Sequence, residues 1–555
     1  MNPLKKEKQH KREQLLQKGV DPYPHSYHKE RSTLWIQNKY QSLSVGESSD
    51  DIVISAGRVM RKRDMGKAAF FNIQDQEGEF QCYIKKQDFS DKDKNPSHVN
   101  EEKDMPAAES ASKVKVDSNV NKVNVETLHS WDIWKLTDIG DIVGIEGQPF
   151  RTKKGELSLR VKKLQMLCKT LEPLPEKYHG LEGKELKYRF RHWDLVMDLK
   201  SREIFKIRSK IIKEIRTFMD NKGFLEMETP VLQSIYGGAM AVPFKTHHRR
   251  LDREMYLKIS PEIYLKKLIV GGFEKIYEIG KNFRNEGIDR THNPEFTMME
   301  YYEAYTDYND QMKQFEQLIC YVTEKIKGGL KFTYQGKPLD FTPPWKRMTV
   351  KEAIKTYSEQ NTDVDQMDLK SLFEYVRSLE PEVDLKNIET TLRNDKNVSS
   401  PEMEDLKDEL ILMAFELIAE KKLWNPTFIM DFPLAVSPLT KKHRQWKSIH
   451  KAGEDTKYYR TVERFEPYIA GMEIGNAYTE LNDPVDQRER LTLQEKQRKE
   501  EGSSHPVDQN FLHALEVGMP PTGGVGLGIE RLVMILTDQA SLRDCILFPM
   551  LKEKG

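Results

Sequence analysis

Residues 283–302 read FRNEGIDRTHNPEFTMMEYY, and no other stretch restricts the fold as strongly. Side chains alternate along a strand, so Arg284 and Glu286 share one face, and Phe296, Met298, Glu300 and Tyr302 share one face of a returning strand. Gly287, Asn293 and Pro294 lie between them and are turn formers. The segment therefore closes as a β-hairpin that gathers one Arg, several carboxylates and an aromatic ring on one surface. Such a surface suits a nucleotide. A base stacks on Phe296, Arg284 neutralises a phosphate, and the remaining carboxylates hold a base amine, a cation or a positively charged substrate. A solvent-facing charged hairpin explains any one of these residues but not all of them together.

Three further segments extend the pattern. Over 201–232, Ile204, Ile211, Ile215 and Phe218 recur at helical spacing, Gly223 marks the stop, and the run from Phe224 to Pro230 predicts a strand. Residues 523–536, GGVGLGIERLVMIL, predict a glycine-rich strand entering a helix. Gly524, Gly526 and Gly528 mimic a dinucleotide fingerprint, but that site needs a βαβ unit and an acidic partner about 20 residues on, and the residues after Gly528 do not supply a second strand and helix plus a sheet. Between the hairpin and this strand, residues 462–483 place Asn476, Tyr478 and Glu480 on one strand face, with Glu466 and Glu473 upstream.

In chain order, these segments resemble motifs 1, 2 and 3 of class II (subclass IIb) aminoacyl-tRNA synthetases in the form found in lysyl-tRNA synthetases, and the resemblance covers nearly everything beyond residue 50. It implies activation of L-lysine by ATP to lysyl-adenylate with release of pyrophosphate, then transfer to the 3′ end of tRNA(Lys), with diadenosine tetraphosphate as a side product. By residue, Arg284 and Arg531 are the implied catalytic pair. Lysine is met by Gly238, Glu262, Arg284, Tyr302, Asn476, Tyr478, Glu480, Gly526 and Gly528, with Glu262 at the α-amino group and Glu480 at the ε-ammonium. ATP is met by Arg284, Glu286, His292, Asn293, Phe296, Glu466 and Arg531, and Mg2+ by Glu466 and Glu473. A buried cationic substrate needs carboxylates to offset its lost hydration, which accords with Glu262 and Glu480 and against an acidic substrate. One position departs from the pattern. Bacterial relatives carry Arg before the motif 2 His, whereas Thr291 stands here, and Arg290 is the expected substitute. The rivals are an aspartyl or asparaginyl enzyme of the same subclass, and an RNA-binding or signalling protein that keeps the fold with a dead site.

Residues 51–171 have the alternation and turns of a small β-barrel, opening with GRVMRKRDMGKAAFFNI. Basic residues beside exposed aromatics suit single-stranded nucleic acid, since stacking contributes about 1–3 kcal/mol per base. The segment resembles the family's OB-fold anticodon domain, which makes Arg63, Phe70, Gln81 and Glu156 the anticodon-binding candidates and Phe71 the buried member of its pair. Equal counts of 88 basic and 88 acidic residues exclude bulk attraction to RNA, so binding must use local patches.

The expected fold is α+β and multidomain: a basic extension at 1–45, an OB-fold barrel at 46–172 with a disordered insertion near 91–127, a linker at 173–183, and a class II catalytic domain at 184–555. That last domain is built on an antiparallel sheet flanked by helices, with a helical insertion near 342–457. The extension is either a tRNA-binding arm or a solvated tail. Cysteines 82, 168, 320 and 545 lack metal spacing and read as reduced core thiols. No apolar run reaches a membrane span, and the start lacks a signal-peptide hydrophobic region, so the expected location is cytoplasmic. The family's motif 1 contact implies a homodimer. Multi-synthetase partners leave no readable signature.

Overall fold

Alternation of apolar and polar residues over 53–85 and 142–168 closes a barrel. The computed structural model describes residues 2–89, 130–175, 183–383, 385, 388–389, 401–445, 460–500 and 507–552, and its chain divides into the units Met1–Glu182 and Gly183–Gly555. The insertion expected at 91–127 and most of the 173–183 linker lie outside the described residues, as do 390–400 and 446–457 of the helical insertion.

The first unit runs α1 (Pro3–Gln17), α2 (Thr33–Lys39), β1 (Val53–Asp64), β2 (Ala68–Gln74), β3 (Glu79–Lys85), α3 (Ser130–Leu136), β4 (Ile142–Arg151) and β5 (Leu157–Cys168). The strands form a closed barrel in the order β1-β2-β3-β5-β4, antiparallel except for β3 against β5. Val59, Phe71, Ile73, Ile84, Val143, Ile145, Leu159 and Val161 fill it, and Trp134 of α3 packs 4.5 Å from Phe71. The first 45 residues are not simply a tail. They contain α1 and α2, and Lys8 on α1 is buried with its Nζ 3.0 Å from the Ile139 carbonyl, while Lys11 reaches Asp138 at 2.6 Å. Two of the basic side chains of the extension are thus used inside the unit.

The second unit continues with α4 (Lys184–Arg189), α5 (Arg191–Met197), α6 (Leu199–Asn221), β6 (Leu225–Glu226), β7 (Leu232–Gln233), β8 (Lys245–His248), β9 (Arg253–Leu257), α7 (Glu262–Val270), β10 (Lys275–Phe283), β11 (Glu295–Ala304) and α8 (Tyr308–Lys327). There follow β12 (Lys331–Tyr334), β13 (Lys337–Asp340), β14 (Lys346–Thr349), α9 (Val350–Tyr357), α10 (Leu369–Leu379), α11 (Pro401–Ile418), β15 (Thr427–Met430), β16 (Arg464–Ile469), β17 (Met472–Glu473), β18 (Gly475–Thr479), α12 (Pro484–Glu500), α13 (Gln509–Val517), β19 (Thr522–Gly528) and α14 (Ile529–Leu536). The main sheet has the order β14-β15-β16-β18-β19-β11-β10-β6, with β17 beside β16. Its central pairs are antiparallel and its two outermost pairs, β14–β15 and β10–β6, are parallel.

Alternation gives this sheet two unlike faces. Met299, Tyr301, Ala477, Val525 and Leu527 join one core with Ile211 and Ile215 of α6, Phe315 and Leu318 of α8, and Leu532 and Val533 of α14. Their neighbours in sequence, Glu300, Tyr302, Asn476, Tyr478, Gly524 and Gly526, line a cavity. The strand expected from Phe224 to Pro230 is much shorter, because only Leu225 and Glu226 pair with β10. Arg531 is the third residue of α14, which begins at Ile529. Cys82, Cys320 and Cys545 are buried and Cys168 half-buried, all as free thiols. Among the described residues no helix is long and apolar enough to cross a membrane.

Candidate active site

The cavity owes its depth to what β19 lacks. Gly526 lies between Glu300 on β11 and Asn476 on β18, and Gly524 between Tyr302 and Tyr478. Side chains therefore rise on both sides of a strand that has none on this face from Gly524 to Gly528, leaving a trough within a cavity of about 440 Å³. At Gly524 a Cβ would come within 2.0 Å of Glu480 Oε1 and 2.6 Å of the Tyr302 ring, so no larger residue fits. Added Cβ atoms at Gly526 and Gly528 would meet protein no nearer than 3.7 Å. Gly238, at φ +84°, closes one end, where a Cβ would press on Glu262 Cβ and Ser260 Oγ at 2.9 Å.

One end of the trough is acidic. Glu262 opens α7, and its Oε2 accepts from the Tyr478 hydroxyl at 2.7 Å. Glu300 is 5 % exposed and accepts from Ser260 Oγ at 2.7 Å and the Tyr302 hydroxyl at 2.9 Å. Burial, reinforced by the charge of Glu262, pushes the Glu300 carboxyl up to about 8. Glu480 lies just behind the wall. It does not line the cavity, and it forms an ion pair with Lys266 of α7, which also meets Glu262 Oε1 at 2.6 Å. One oxygen of Glu480, the residue expected at the ε-ammonium, is thus already paired with a cation of the chain.

The other end is built for an anion. Arg284 follows β10, lines the cavity, and forms no ion pair among the described residues, and its buried Nε has no hydrogen-bond partner there. Burial pulls its guanidinium below the ordinary value. A buried cation left uncompensated is costly and calls for a negative group. The guanidinium also lies 5.2 Å from the centroid of Phe296, so the ring expected to carry a base already has Arg284 over it. Arg531 donates to the Glu473 carbonyl and lies 3.4 Å from His292 Nε2, whose Nδ1 is 2.8 Å from Asp289. Asn293 is buried and donates to the Glu295 carbonyl at 2.6 Å, and Glu286 is exposed at the cavity rim. Arg290 donates to the Ala540 carbonyl at 3.1 Å and is not part of the wall, so it does not replace the missing Arg at Thr291 in this arrangement.

Glu466 and Glu473 both line this end. Burial pushes Glu466 up to about 7 despite Arg464, and Glu473 adds to the rise. Two carboxylates side by side, close to Arg284, make the donor set that Mg2+ takes, with few protein oxygens and the rest from phosphate and water. The residues fit the ion. Among the described residues there is no cluster of three or more such ligands. Arg464 was not singled out in the sequence. It ion-pairs with Glu466 and donates to Asn476 Oδ1 at 2.9 Å, fixing both side chains. Lys266 was missed as well, although its place four residues after Glu262 on one helix is a readable signal.

In the first unit, Arg63 on β1 lies directly opposite Phe70 on β2, which lies opposite Tyr83 on β3. Phe70 is half-buried with its ring 4.8 Å from that of Tyr83, whereas Phe71 is 1 % exposed. Gln81 shares the outward face and accepts from Ser158 Oγ at 2.8 Å, and Glu156 is exposed in the turn between β4 and β5. Tyr83 is the aromatic that the sequence reading passed over.

Comparison with known proteins bears on both units. A model of the class II tRNA synthetases (D, K and N) matches residues 183–552, and one of the OB-fold nucleic acid binding domain matches residues 53–103. The lysine–tRNA ligase of Clostridium novyi is 43 % identical over 563 residues, covering 99 % of this chain and 95 % of that protein. Those of Thermoanaerobacter pseudethanolicus and Prochlorococcus marinus are 41 % and 42 % identical, each covering 100 % of this chain and 97 % of the relative.

Proposed function

The chain belongs to the class II tRNA synthetases, in the lysine–tRNA ligase branch, and from that membership we propose how its cavity carries out the reaction. The enzyme activates L-lysine with ATP and charges tRNA. The observation that carries the residue-level reading is the juxtaposition of buried Glu262 and Glu300, with Glu480 behind them, and the unpaired Arg284 at one cavity.

The acidic end takes lysine. Glu262 receives the α-ammonium, Glu480 the ε-ammonium, Tyr302 and Tyr478 flank the alkyl chain, and Asn476, held by Arg464, meets the carboxylate. Gly238, Gly526 and Gly528 leave room for the substrate. Arg284 faces the α-phosphate, Phe296 and Arg531 flank the adenine, Glu286 accepts from its amino group, and His292 and Asn293 shape the phosphate end. No protein nucleophile is needed. A lysine carboxylate oxygen bonds to the α-phosphorus, the bond from that phosphorus to the bridging oxygen breaks, and pyrophosphate leaves with the electron pair. The protein positions the partners and offsets charge at the α-phosphate through Arg284. Glu466 and Glu473 would hold Mg2+, which when bound screens phosphate charge. In the second step the terminal ribose hydroxyl of tRNA attacks the lysyl carbonyl, AMP departs, and the hydroxyl proton is lost to AMP or solvent.

The barrel reads the anticodon of tRNA(Lys) through Arg63, Phe70, Gln81 and Glu156. Attack by a second ATP on the adenylate gives diadenosine tetraphosphate. The enzyme works as a cytoplasmic homodimer. Exchange of pyrophosphate into ATP, run separately with lysine, aspartate and asparagine, tests the pocket. Exchange with lysine alone is expected, and exchange with either of the others would overturn the assignment of Glu262 and Glu480.

A further inference from the structure

The two carboxylates assigned above to the ammonium groups of lysine are already bridged by a lysine of the chain. Lys266 lies one helical turn after Glu262 and is fully buried, with its Nζ 2.6 Å from Glu262 Oε1 and in an ion pair with Glu480 Oε2. The rings of Tyr478 and Phe511 flank it at 5.6 and 5.8 Å. The other charged and titratable groups nearby are occupied: Tyr478 donates to Glu262 Oε2, Glu300 accepts from Ser260 and Tyr302, and Asp508 of the neighbouring segment faces Lys267 at 3.3 Å.

Two consequences follow from this bridge. The pair with Lys266 is made by Glu480 Oε2, and Glu480 Oε1 points to the space that Gly524 leaves open, where a Cβ would stand 2.0 Å from it. Two carboxylates and one ammonium also sum to a single negative charge. Free lysine has a single positive one, since its α-ammonium and carboxylate cancel.

Resting on the pocket reading given above, we propose that Lys266 is a specificity-setting positioning residue. It holds Glu262 and Glu480 ionised and side by side, so that the pocket presents one net negative charge, through Glu480 Oε1, to the ε-ammonium of the substrate. Without Lys266, two buried carboxylates share a site and one of them takes up a proton. The pocket then loses the charge that selects lysine. Burial alone pulls Lys266 down, but the two carboxylates outweigh it and hold its ammonium above the ordinary value, while burial raises the Glu480 carboxyl and Lys266 is the group that opposes that rise.

The test is the KM for lysine in pyrophosphate exchange by the full chain, from about pH 6 to about pH 9, for wild type, Lys266→Met, Lys266→Arg and Glu480→Gln. For Lys266→Met the ratio to wild type should be about ten- to hundredfold near pH 6–7, the loss of one charge-assisted contact, and shrink to within about threefold near pH 9 as the carboxylates ionise. KM for ATP should not move, and Lys266→Arg should follow wild type. A ratio that does not change with pH, or a loss confined to kcat, overturns the proposal. If Lys266→Met does not fold, Lys266→Gln, which still donates to both carboxylates without charge, carries the same test. Should Glu480→Gln leave the lysine KM unchanged, the pocket reading itself fails. Should it raise that KM while Lys266→Met does not, only the role of Lys266 fails.

Discussion

Glu300 shows how a single side chain acquires a property its sequence position does not announce. Its folded carboxyl sits at about 8, raised by burial and then by Glu262, while in the unfolded chain it titrates as an ordinary carboxylate. Between those values the folded protein holds a proton that the unfolded chain releases, so stability falls as pH rises from about 5 to about 8. Thermal melts across that window should show wild type losing stability relative to Glu300→Gln, and a difference that stays constant with pH would contradict the raised value. Much at this scale was legible. Alternation alone set Arg284, Phe296 and Tyr302 at one surface, and helical spacing gave the buried face of α6. The partner of Glu480 was not legible, because Lys266 reaches it only after α7 and β18 are brought together by the sheet. Gly524 was similarly opaque, since its meaning is the carboxylate oxygen that a Cβ would strike.

Among elements, strands and helices with strong local signals were readable, and those decided by pairing were not. The hairpin β10–β11 forms over a continuous register from Lys275↔Glu303 to Phe283↔Glu295, as its alternation and turn residues predict. The run after Gly223 has strand composition, yet it pairs for two residues only, Leu225 and Glu226 against Ile276 and Tyr277. Capping fixes other boundaries. Thr349 accepts from the Glu352 amide at 3.1 Å, and Glu352 returns the bond to the Thr349 amide at 2.9 Å, which starts α9. Thr349→Ala should cost about 1 kcal/mol, seen as an earlier urea transition of the catalytic unit. An unchanged midpoint would mean that packing on the neighbouring helices, not the cap, sets the start of α9. A tie of a different kind joins three elements: Glu530 of α14 accepts from the Thr297 amide of β11 and from Arg208 of α6 at 2.7 Å.

For the whole molecule, the balance of 88 basic and 88 acidic residues leaves recognition to local surfaces. In the catalytic unit Leu225 and Leu232, beyond the end of α6, are 53 % and 51 % exposed, with Phe190, Leu199 and Val231 also exposed. Leu225, Val231 and Leu232, which follow α6 closely in sequence, are exposed apolar side chains of the kind the proposed homodimer would cover. Sedimentation on dilution should find dimer persisting at micromolar protein, as an interface of standard size or larger requires, and a folded monomer there would count against it. The two units were foreseeable from composition and motifs, but the N-terminal helix was not, since Lys8 and Lys11 read as solvent-facing until Asp138 and the Ile139 carbonyl are placed beside them. The trough has one more consequence, for kinetics. Its floor joins β11 to β19, and the Thr297–Glu530 bond that secures the junction links residues 233 apart in the chain. The β10–β11 hairpin is local and forms early, whereas the glycine strand reaches it only after a long loop has closed. Until then β11 has an unsatisfied edge open to other chains, which makes the refolding yield of this enzyme dependent on concentration.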